Sequence, residues 1–505
     1  MLPNEKTKKD FWGLAKANTS TKVEIFAGIA TFLAMSYILT VNPNQILWGG
    51  TADPRWTSVF LATALGAIIG TLLMAFLAKM PYAQASGMGL NASIGGVLGG
   101  VTGFAFSFGN AMLIVLIDGI LFLLVSIIPI GKNKETGKLI TLREKIFDGI
   151  PKSVRTAITV GIGLFITFIG FQNAKIITDN PYTLLQFVDL SDKANWASNG
   201  IACQAVVAIF GLIVIAVLSH FKVKGSVIIG ILAATVLAIP LGVTNVDILL
   251  GKVDGVTWKF WENFANFFSF DSSKGGILFS AFTEGFDLPE GSIMTVVMLI
   301  ISFGMIDMFD TMGTVVGCAT NAGLVDENGK PLAYDKIMYA DSIATCTGAL
   351  LGTSTVTTFV ESGAGVAAGG KTGLTAFVTA ILFFLSIFLL PVFAFVPSAA
   401  AASALIYVGV LMMSNVKNID FSNIKNAVPA FLTIIIMPLA YSITTGIGLG
   451  LISYVLLAVA IYVIDLIKYA LNKKKGGEVE KPTWDVSTVA IVVCILFLVY
   501  FLLPV

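Results

Sequence analysis

Charge is scarce in this chain. Asp, Glu, Lys and Arg make up 12% of its 505 residues, where a soluble globular domain carries about 25%. Apolar stretches of roughly 17–25 residues, the length that crosses a bilayer, recur from Val23 to Val505. A soluble fold is thereby excluded, and an all-α polytopic protein of the lipid bilayer is indicated. The few charges balance to a formal net charge of +1, and no basic, aromatic-rich face offers itself to nucleic acid. Histidine occurs once, as His220 in the loop-like Ser219-His-Phe-Lys-Val-Lys224, which excludes a His-rich metal site and an intramembrane His proton relay. Cys203, Cys318, Cys346 and Cys494 stand singly in apolar segments, so neither a disulfide framework nor a metal site is expected. No cofactor is implied. H-E-x-x-H and G-x-S-x-G are absent, which removes two common signatures of a membrane-embedded enzyme. Met1 to Asp10 lacks the apolar core and cleavage site of a signal peptide. The first apolar segment is therefore expected to span the membrane and stay.

What the chain does have is a repeat built of small residues. Ala62-Thr-Ala-Leu-Gly-Ala-Ile-Ile-Gly-Thr71 returns 282 positions later as Ala344-Thr-Cys-Thr-Gly-Ala-Leu-Leu-Gly-Thr353. Ser86-Gly-Met-Gly-Leu-Asn-Ala92 returns 276 positions later as Ser362-Gly-Ala-Gly-Val-Ala-Ala368. Spans are predicted near 23–47, 57–79, 83–100, 108–130, 151–172, 199–219 and 224–243. A second set is predicted near 291–319, 338–353, 354–369, 372–396, 398–414, 426–443 and 446–470. About fourteen segments in two sets of seven place the two copies in opposite directions across the membrane. Inverted repeats of this kind carry the substrate sites of secondary transporters.

Lys6, Lys8 and Lys9, the stretch Lys132 to Lys145, Lys222 and Lys224, and Lys473 to Lys475 all fall on one side in this count. The positive-inside rule makes that side cytoplasmic, with the N-terminus. Segments 173–198 and 244–290 then face outward, the second resting Trp258 and Trp261 on the membrane interface. Thr483 to Val505 is long enough for a further span or an interfacial helix.

Each Ser-Gly-x-Gly follows a short extended-looking run, Met80-Pro-Tyr-Ala-Gln-Ala85 or the β-branched Thr353-Ser-Thr-Val-Thr-Thr-Phe-Val360. A strand, a turn and a half-helix are expected near 83–100 and again near 354–369, with the two half-helix N-termini meeting at mid-membrane. Such backbone is tolerated there only around a polar cavity.

Ionisable side chains inside the hydrocarbon cost several kcal/mol and mark function. Asp307 and Asp310 are three apart and share one helical face. Glu361 stands where the second strand turns into its helix, and Asn91 lies in the first half-helix. At an offset of 276, Thr31 is opposite Asp307, Ala34 opposite Asp310 and Ala85 opposite Glu361, so the carboxylates belong to the second half alone. Asp118, in the fourth span, has no evident partner. Carboxylates, an amide and helix-end N–H groups, with Tyr37, Phe303, Phe309 and Phe359 near, suit a flat uncharged solute such as a nucleobase. The candidate substrate-binding set is Asn91, Asp307, Glu361, Ser362, Gly363, Gly89 and Tyr37. With histidine absent from the spans, a coupling proton falls to Asp310, Asp307 or Glu361.

Gly87-Met-Gly-Leu-Asn-Ala92, Asp307-Met-Phe-Asp-Thr311, Gly348-Ala-Leu-Leu-Gly-Thr-Ser-Thr-Val356, Phe359-Val-Glu-Ser-Gly-Ala-Gly365 and Val416-Lys-Asn-Ile-Asp-Phe421 together carry a resemblance over nearly the whole chain. The sequence resembles the AzgA-like (azaguanine-resistance) purine permeases of the nucleobase/ascorbate transporter superfamily. That resemblance implies fourteen spans in two inverted seven-span repeats. A core domain would comprise 1–135 and 291–397, and a gate domain 136–243 and 398–505 including the C-terminal segment, with 244–290 an extracellular loop. It also implies proton-coupled import of hypoxanthine, guanine or adenine across the plasma membrane, and homodimers through the gate domains. Substrate roles carry over to Asn91, Asp307 and Glu361, with Asp310 as a proton or structural partner. Ser93 and Ile94 depart from the aromatics common after Asn-Ala, and the 244–290 loop is long, so the particular base stays open. Rival readings are a carrier of uracil, xanthine or urate and, further off, a channel.

Overall fold

The computed structural model describes residues 10–47, 50–132, 139–223, 225–253, 256–270, 275–326, 330–474 and 482–502. Lys6, Lys8, Lys9, Lys224 and Lys475, used above for orientation, lie outside the described residues, as does 133–138.

Apolar runs become helices, and the break points follow the polar and glycine signals. The first half holds α1 (Thr21–Met35), α2 (Ile38–Ile46), α3 (Trp56–Leu73), β1 (Gln84–Ser86), α4 (Met88–Leu98) and α5 (Phe108–Ile127). It continues through β2 (Pro129–Lys132), β3 (Leu139–Thr141), α6 (Leu142–Gly149), α7 (Lys152–Asn173), β4 (Ile177–Asn180), β5 (Leu184–Phe187), α8 (Ile201–His220) and α9 (Ser226–Ala238). Two short helices, α10 (Phe260–Phe267) and α11 (Ser280–Thr283), lie within the 244–290 segment. The second half holds α12 (Ile293–Ala322), α13 (Tyr334–Leu351), β6 (Val356–Thr358), α14 (Ser362–Ala367), α15 (Gly373–Ser386) and α16 (Leu390–Ala394). It ends with α17 (Ser398–Met413), α18 (Ile424–Leu439), α19 (Ile443–Lys474) and α20 (Thr488–Leu502). Every predicted span has its counterpart, and both expected strand and half-helix units form. Among the described residues, nine helices or helix pairs are long and apolar enough to cross a membrane. At 15 residues α20 is shorter than a full crossing, about 22 Å at 1.5 Å per residue, and it packs on α19, α12 and α6.

The helices pack in two groups. One joins α1–α5 to α12–α15, with α1 on α15, α3 on α13 and α15, and α5 on α13 and α12. The other joins α7–α9 to α17–α19. Small residues set the approach of helices in the first group, as van der Waals packing between membrane helices requires. A Cβ on Gly28 of α1 would stand 2.7 Å from the Thr375 carbonyl of α15. Glu24, fully buried in the first turn of α1, accepts from Lys371 N at 3.0 Å, Thr372 N at 3.2 Å and Thr375 Oγ1 at 2.6 Å. It thus satisfies donors that the start of α15 would otherwise leave orphaned.

The two halves meet at strands. β1 and β6 pair antiparallel, Gln84 with Thr358, Ala85 with Thr357 and Ser86 with Val356. The ladder extends symmetrically on either side, with Gly87 N donating to Thr355 O at 2.9 Å and Phe359 N to Ala83 O at 3.0 Å. Gly352 closes α13 at a φ of 91°, a left-handed turn that glycine adopts without strain, and so turns the chain toward β6.

This register corrects the pairing of repeat positions. The two strands begin 272 residues apart (356 − 84), four fewer than the echo in the sequence. Ser86 is the last residue of its strand, whereas Ser362 is already the first of its helix. The second copy uses Phe359, Val360 and Glu361 between strand and helix where the first uses Gly87 alone. Glu361 immediately precedes its half-helix as Gly87 precedes the first, so the structural mate of Glu361 is Gly87 rather than Ala85.

Candidate functional site

Tyr37 lies at the break between α1 and α2, where the chain turns at Ser36 and Tyr37 before resuming as helix. The break carries the phenol, 1% exposed, to the strand crossing. Its Oη donates to Glu361 Oε1 at 2.5 Å and lies 3.4 Å from Met88 Sδ at the start of α4. Glu361 precedes α14 without capping it by a side-chain hydrogen bond. Its second oxygen, Oε2, is buried and has no hydrogen-bond partner in the protein. A carboxylate held by one phenol, with the other oxygen unfilled, is ready to accept from an N–H donor. Asp310 stands partly exposed on α12, within range of the Glu361 charge.

Asn91 and Ser362 have their polar atoms engaged inside the protein. Asn91 is fully buried; its Nδ2 donates to Ser86 O at 3.3 Å and its Oδ1 accepts from Ser354 Oγ. The Ser362 hydroxyl accepts from Ala83 N at 3.0 Å and donates to Ala83 O at 3.4 Å. These bonds tie each half-helix to the strands beside it. Gly363 is open, with only Cys318 Sγ at 4.0 Å from where a Cβ would stand. Gly89 faces the other helix group instead, where a Cβ would lie 2.9 Å from Ile162 Cγ2 of α7 and 3.8 Å from Ile443 Cδ1 of α19.

Asp307, on α12, is fully buried. It accepts from Thr345 Oγ1 at 3.2 Å through Oδ2, and its Oδ1 has no partner. Of the aromatic candidates, Phe303 and Phe359 are buried in the core, and Phe309 packs on Phe147 of α6 at 5.6 Å, away from the crossing.

Sequence reasoning passed over Asp341, which organises the crossing. From α13 its Oδ1 accepts from Gln84 Nε2 at 2.7 Å, Thr358 N at 3.0 Å and Thr358 Oγ1 at 3.0 Å. Its Oδ2 accepts from Thr311 Oγ1 at 2.8 Å. One carboxylate thus joins β1, β6, α12 and α13. The signal was present, since an Asp inside the predicted span 338–353 is costly there without partners.

Known proteins resemble this chain in sequence and in fold. The family described as Permease family (Xan_ur_permease) matches residues 22–449. The guanine/hypoxanthine permease PbuG of Bacillus subtilis is 37% identical over 453 residues, covering 88% of this chain and 92% of that protein. The adenine permease AdeP of Escherichia coli is 36% identical over 442 residues, covering 87% and 88%. Among solved structures, the transmembrane domain of the cyanobacterial bicarbonate transporter BicA superposes with a TM-score of 0.55 at 15% identity, covering 86% of this chain and 97% of that one. The murine anion transporter Slc26a9 in its inward-facing state gives 0.55 at 9% identity, covering 91% and 74%. At such identities the structural likeness concerns the fold alone, an inverted two-repeat transporter architecture.

Proposed function

The chain belongs to this permease family, and on that premise we propose that it imports purine nucleobases together with protons, guanine and hypoxanthine ahead of adenine. It is a multi-pass membrane transporter and not an enzyme. The observation that carries the substrate reading is Glu361, with Oε1 held by Tyr37 and Oε2 buried and unfilled at the crossing of the two repeats. A purine presents N–H donors to that oxygen and a flat face to the surrounding apolar side chains. The names of PbuG and AdeP support purines over pyrimidines. Asp310 is within range of the Glu361 charge and Gly363 is two residues beyond it, while Asn91 and Ser362 hold the frame. The coupling proton belongs to Asp307, Asp310 or Glu361.

In this reading 1–135 and 291–397 form the core that carries the base, and 136–243 and 398–505 form the gate, through which two copies dimerise. The 244–290 segment faces outward. The protein sits in the plasma membrane with its N-terminus in the cytoplasm. Alternating access follows as the core moves against the gate, with Gly89 at their contact.

Uptake of labelled hypoxanthine into cells lacking their own purine transport tests the proposal. Saturable uptake that a protonophore abolishes, and that unlabelled guanine and adenine compete, is expected. Competition by uracil, xanthine or urate instead would reassign the substrate, and non-saturable flux would indicate a channel.

A further inference from the structure

Three buried carboxylates meet where α5 packs on α12 and α13. Asp118 of α5 is 1% exposed, and Asp307 and Asp341 are fully buried. A Cβ on Gly304, one turn before Asp307, would stand 2.9 Å from Asp118 Oδ1, so the missing side chain lets the carboxylate lie against α12. On its other flank, a Cβ on Gly119 would lie 2.9 Å from Cys346 Sγ and 3.0 Å from Thr345 Cγ2 of α13. Thr345 is also the donor to Asp307. Each acid is within range of the others' charge.

The three are satisfied unequally. Asp341 accepts four hydrogen bonds, and an ionised carboxylate is an acceptor only, so Asp341 is the anion of the group. Asp307 accepts one, leaving Oδ1 without a partner, and both oxygens of Asp118 are buried without one. A buried, unpaired carboxylate neutralises rather than bear the desolvation cost of its charge. No cation is at hand to pair with it among the described residues. Asp118 faces Asp307 from α12 and Asp341 and Cys346 from α13, with Asp310 beyond Asp307. Neither α4 nor α11 carries a titratable residue. At the far end of α5, Arg143, Glu144 and Asp148 of α6 pair with Asp335, Lys330 and Arg155, and Lys145 is exposed.

We propose that Asp118 and Asp307 together hold the transported proton, in a site of α5, α12 and α13 distinct from the base-binding Glu361. This rests on the proton-coupled import proposed above. A proton from water on one side adds to a carboxylate oxygen of Asp118, is shared with Asp307, and returns to water on the other side; no other bond changes. The path from this charge to the base is short. Asp341 beside the pair holds Gln84 of β1 and Thr358 of β6, and Thr358 is three residues before Glu361. With one proton shared, the pair bears one negative charge and the cluster two for the core to carry; with the proton gone, the cluster bears three.

Purified protein in liposomes, with hypoxanthine as substrate and a trapped pH dye, tests the site. The wild type is expected to show hypoxanthine counterflow, accumulation driven by an imposed pH gradient, and internal acidification on adding hypoxanthine. In Asp118→Asn, counterflow should persist while gradient-driven accumulation falls roughly tenfold or more, the loss of one 1.4 kcal/mol step, and acidification disappears. Accumulation and acidification at wild-type levels in that variant overturn the proposal. Should Asp118→Asn fail to fold, Thr345→Val removes the one donor to Asp307 and keeps all three acids. Its uptake should hold to higher pH than the wild type, and an unchanged pH profile refutes the site. Wild-type counterflow without acidification would remove proton coupling and this site while leaving the purine reading intact. Absence of hypoxanthine counterflow in the wild type would remove the purine reading itself.

Discussion

Replacing Glu361 by glutamine should weaken purine binding by roughly 10- to 100-fold, from a loss of about 1.5–3 kcal/mol for a hydrogen bond to a charged group at about 1.4 kcal/mol per tenfold. The structure says which oxygen matters. Oε1 already accepts from Tyr37 Oη at 2.5 Å, while Oε2 is buried and free. Glutamine keeps the volume, and its carbonyl can still accept from Tyr37. Its amide NH2 then replaces Oε2, so a donor faces the N–H of the base. Tyr37→Phe removes the phenol that orients the carboxylate without changing the free oxygen. Its effect should be smaller, about 0.5–1.5 kcal/mol, as for an ordinary hydrogen bond. Because the two side chains share one bond, the double variant should fall short of the sum of the singles. Equilibrium binding of labelled hypoxanthine to purified protein measures all three, with melting temperature as the control for folding. A folded Glu361→Gln protein that binds within twofold of the wild type would show that Oε2 does not meet the base.

Three further outcomes follow from particular contacts. Asn91→Ala breaks the buried ties to Ser354 and Ser86 and should cost about 1–3 kcal/mol of stability. Thermal denaturation in detergent should show it, with Ser354→Ala lowering the midpoint comparably; unchanged melting with lost binding would put the amide on the base instead. Gly89→Leu drives a side chain into Ile162 and Ile443, an overpacking of about 1–3 kcal/mol at the contact between the helix groups. Uptake should slow while hypoxanthine affinity holds, and unimpaired turnover would remove Gly89 from the moving surface. On the far side of α5, burial raises the Glu144 pKa, but the Lys330 ammonium at 2.7 Å and the Thr141 N–H hold it below its ordinary 4.5. A carboxylate with a lowered folded-state pKa contributes its stability above the unfolded value and loses it as pH falls through the folded one. The stability gap between wild type and Lys330→Ala, under about 1 kcal/mol for so exposed a pair, should be flat near neutrality and close below pH 4.5; a gap that widens in acid would contradict the pairing.

Much of the architecture was legible because hydropathy in a membrane is a strong, local signal. A run such as Phe108–Ile127 has nowhere to go but across the bilayer, and its backbone can be satisfied only as helix. Glu361 and Tyr37 were legible too. A carboxylate beside Ser-Gly-x-Gly in an apolar run is costly unless something uses it, and Tyr37 stood among the candidate aromatics, although its bond to Glu361, 324 residues along the chain, is a product of the fold. Asp341 and Glu24 were passed over because their value lies in partners far along the chain. Glu24 is opposite the Lys371 and Thr372 amides, and Asp341 is opposite Gln84.

The residues alone therefore determined the class of protein, the positions of its spans, the duplication and its inversion, and the acid at the second turn. Only the tertiary structure decided where the two repeats pair, with strands starting four residues away from the echo, because strand hydrogen bonds align backbone and are indifferent to matching side chains. It also separated the carboxylates, with Glu361 bonded to Tyr37 beside the crossing, Asp310 partly exposed near it, and Asp307 buried with Asp118 and Asp341. Whether an acid is free, satisfied or in need of a proton depends on the donors that reach it, and here two of those, Gln84 and Tyr37, come from more than two hundred residues away in the chain.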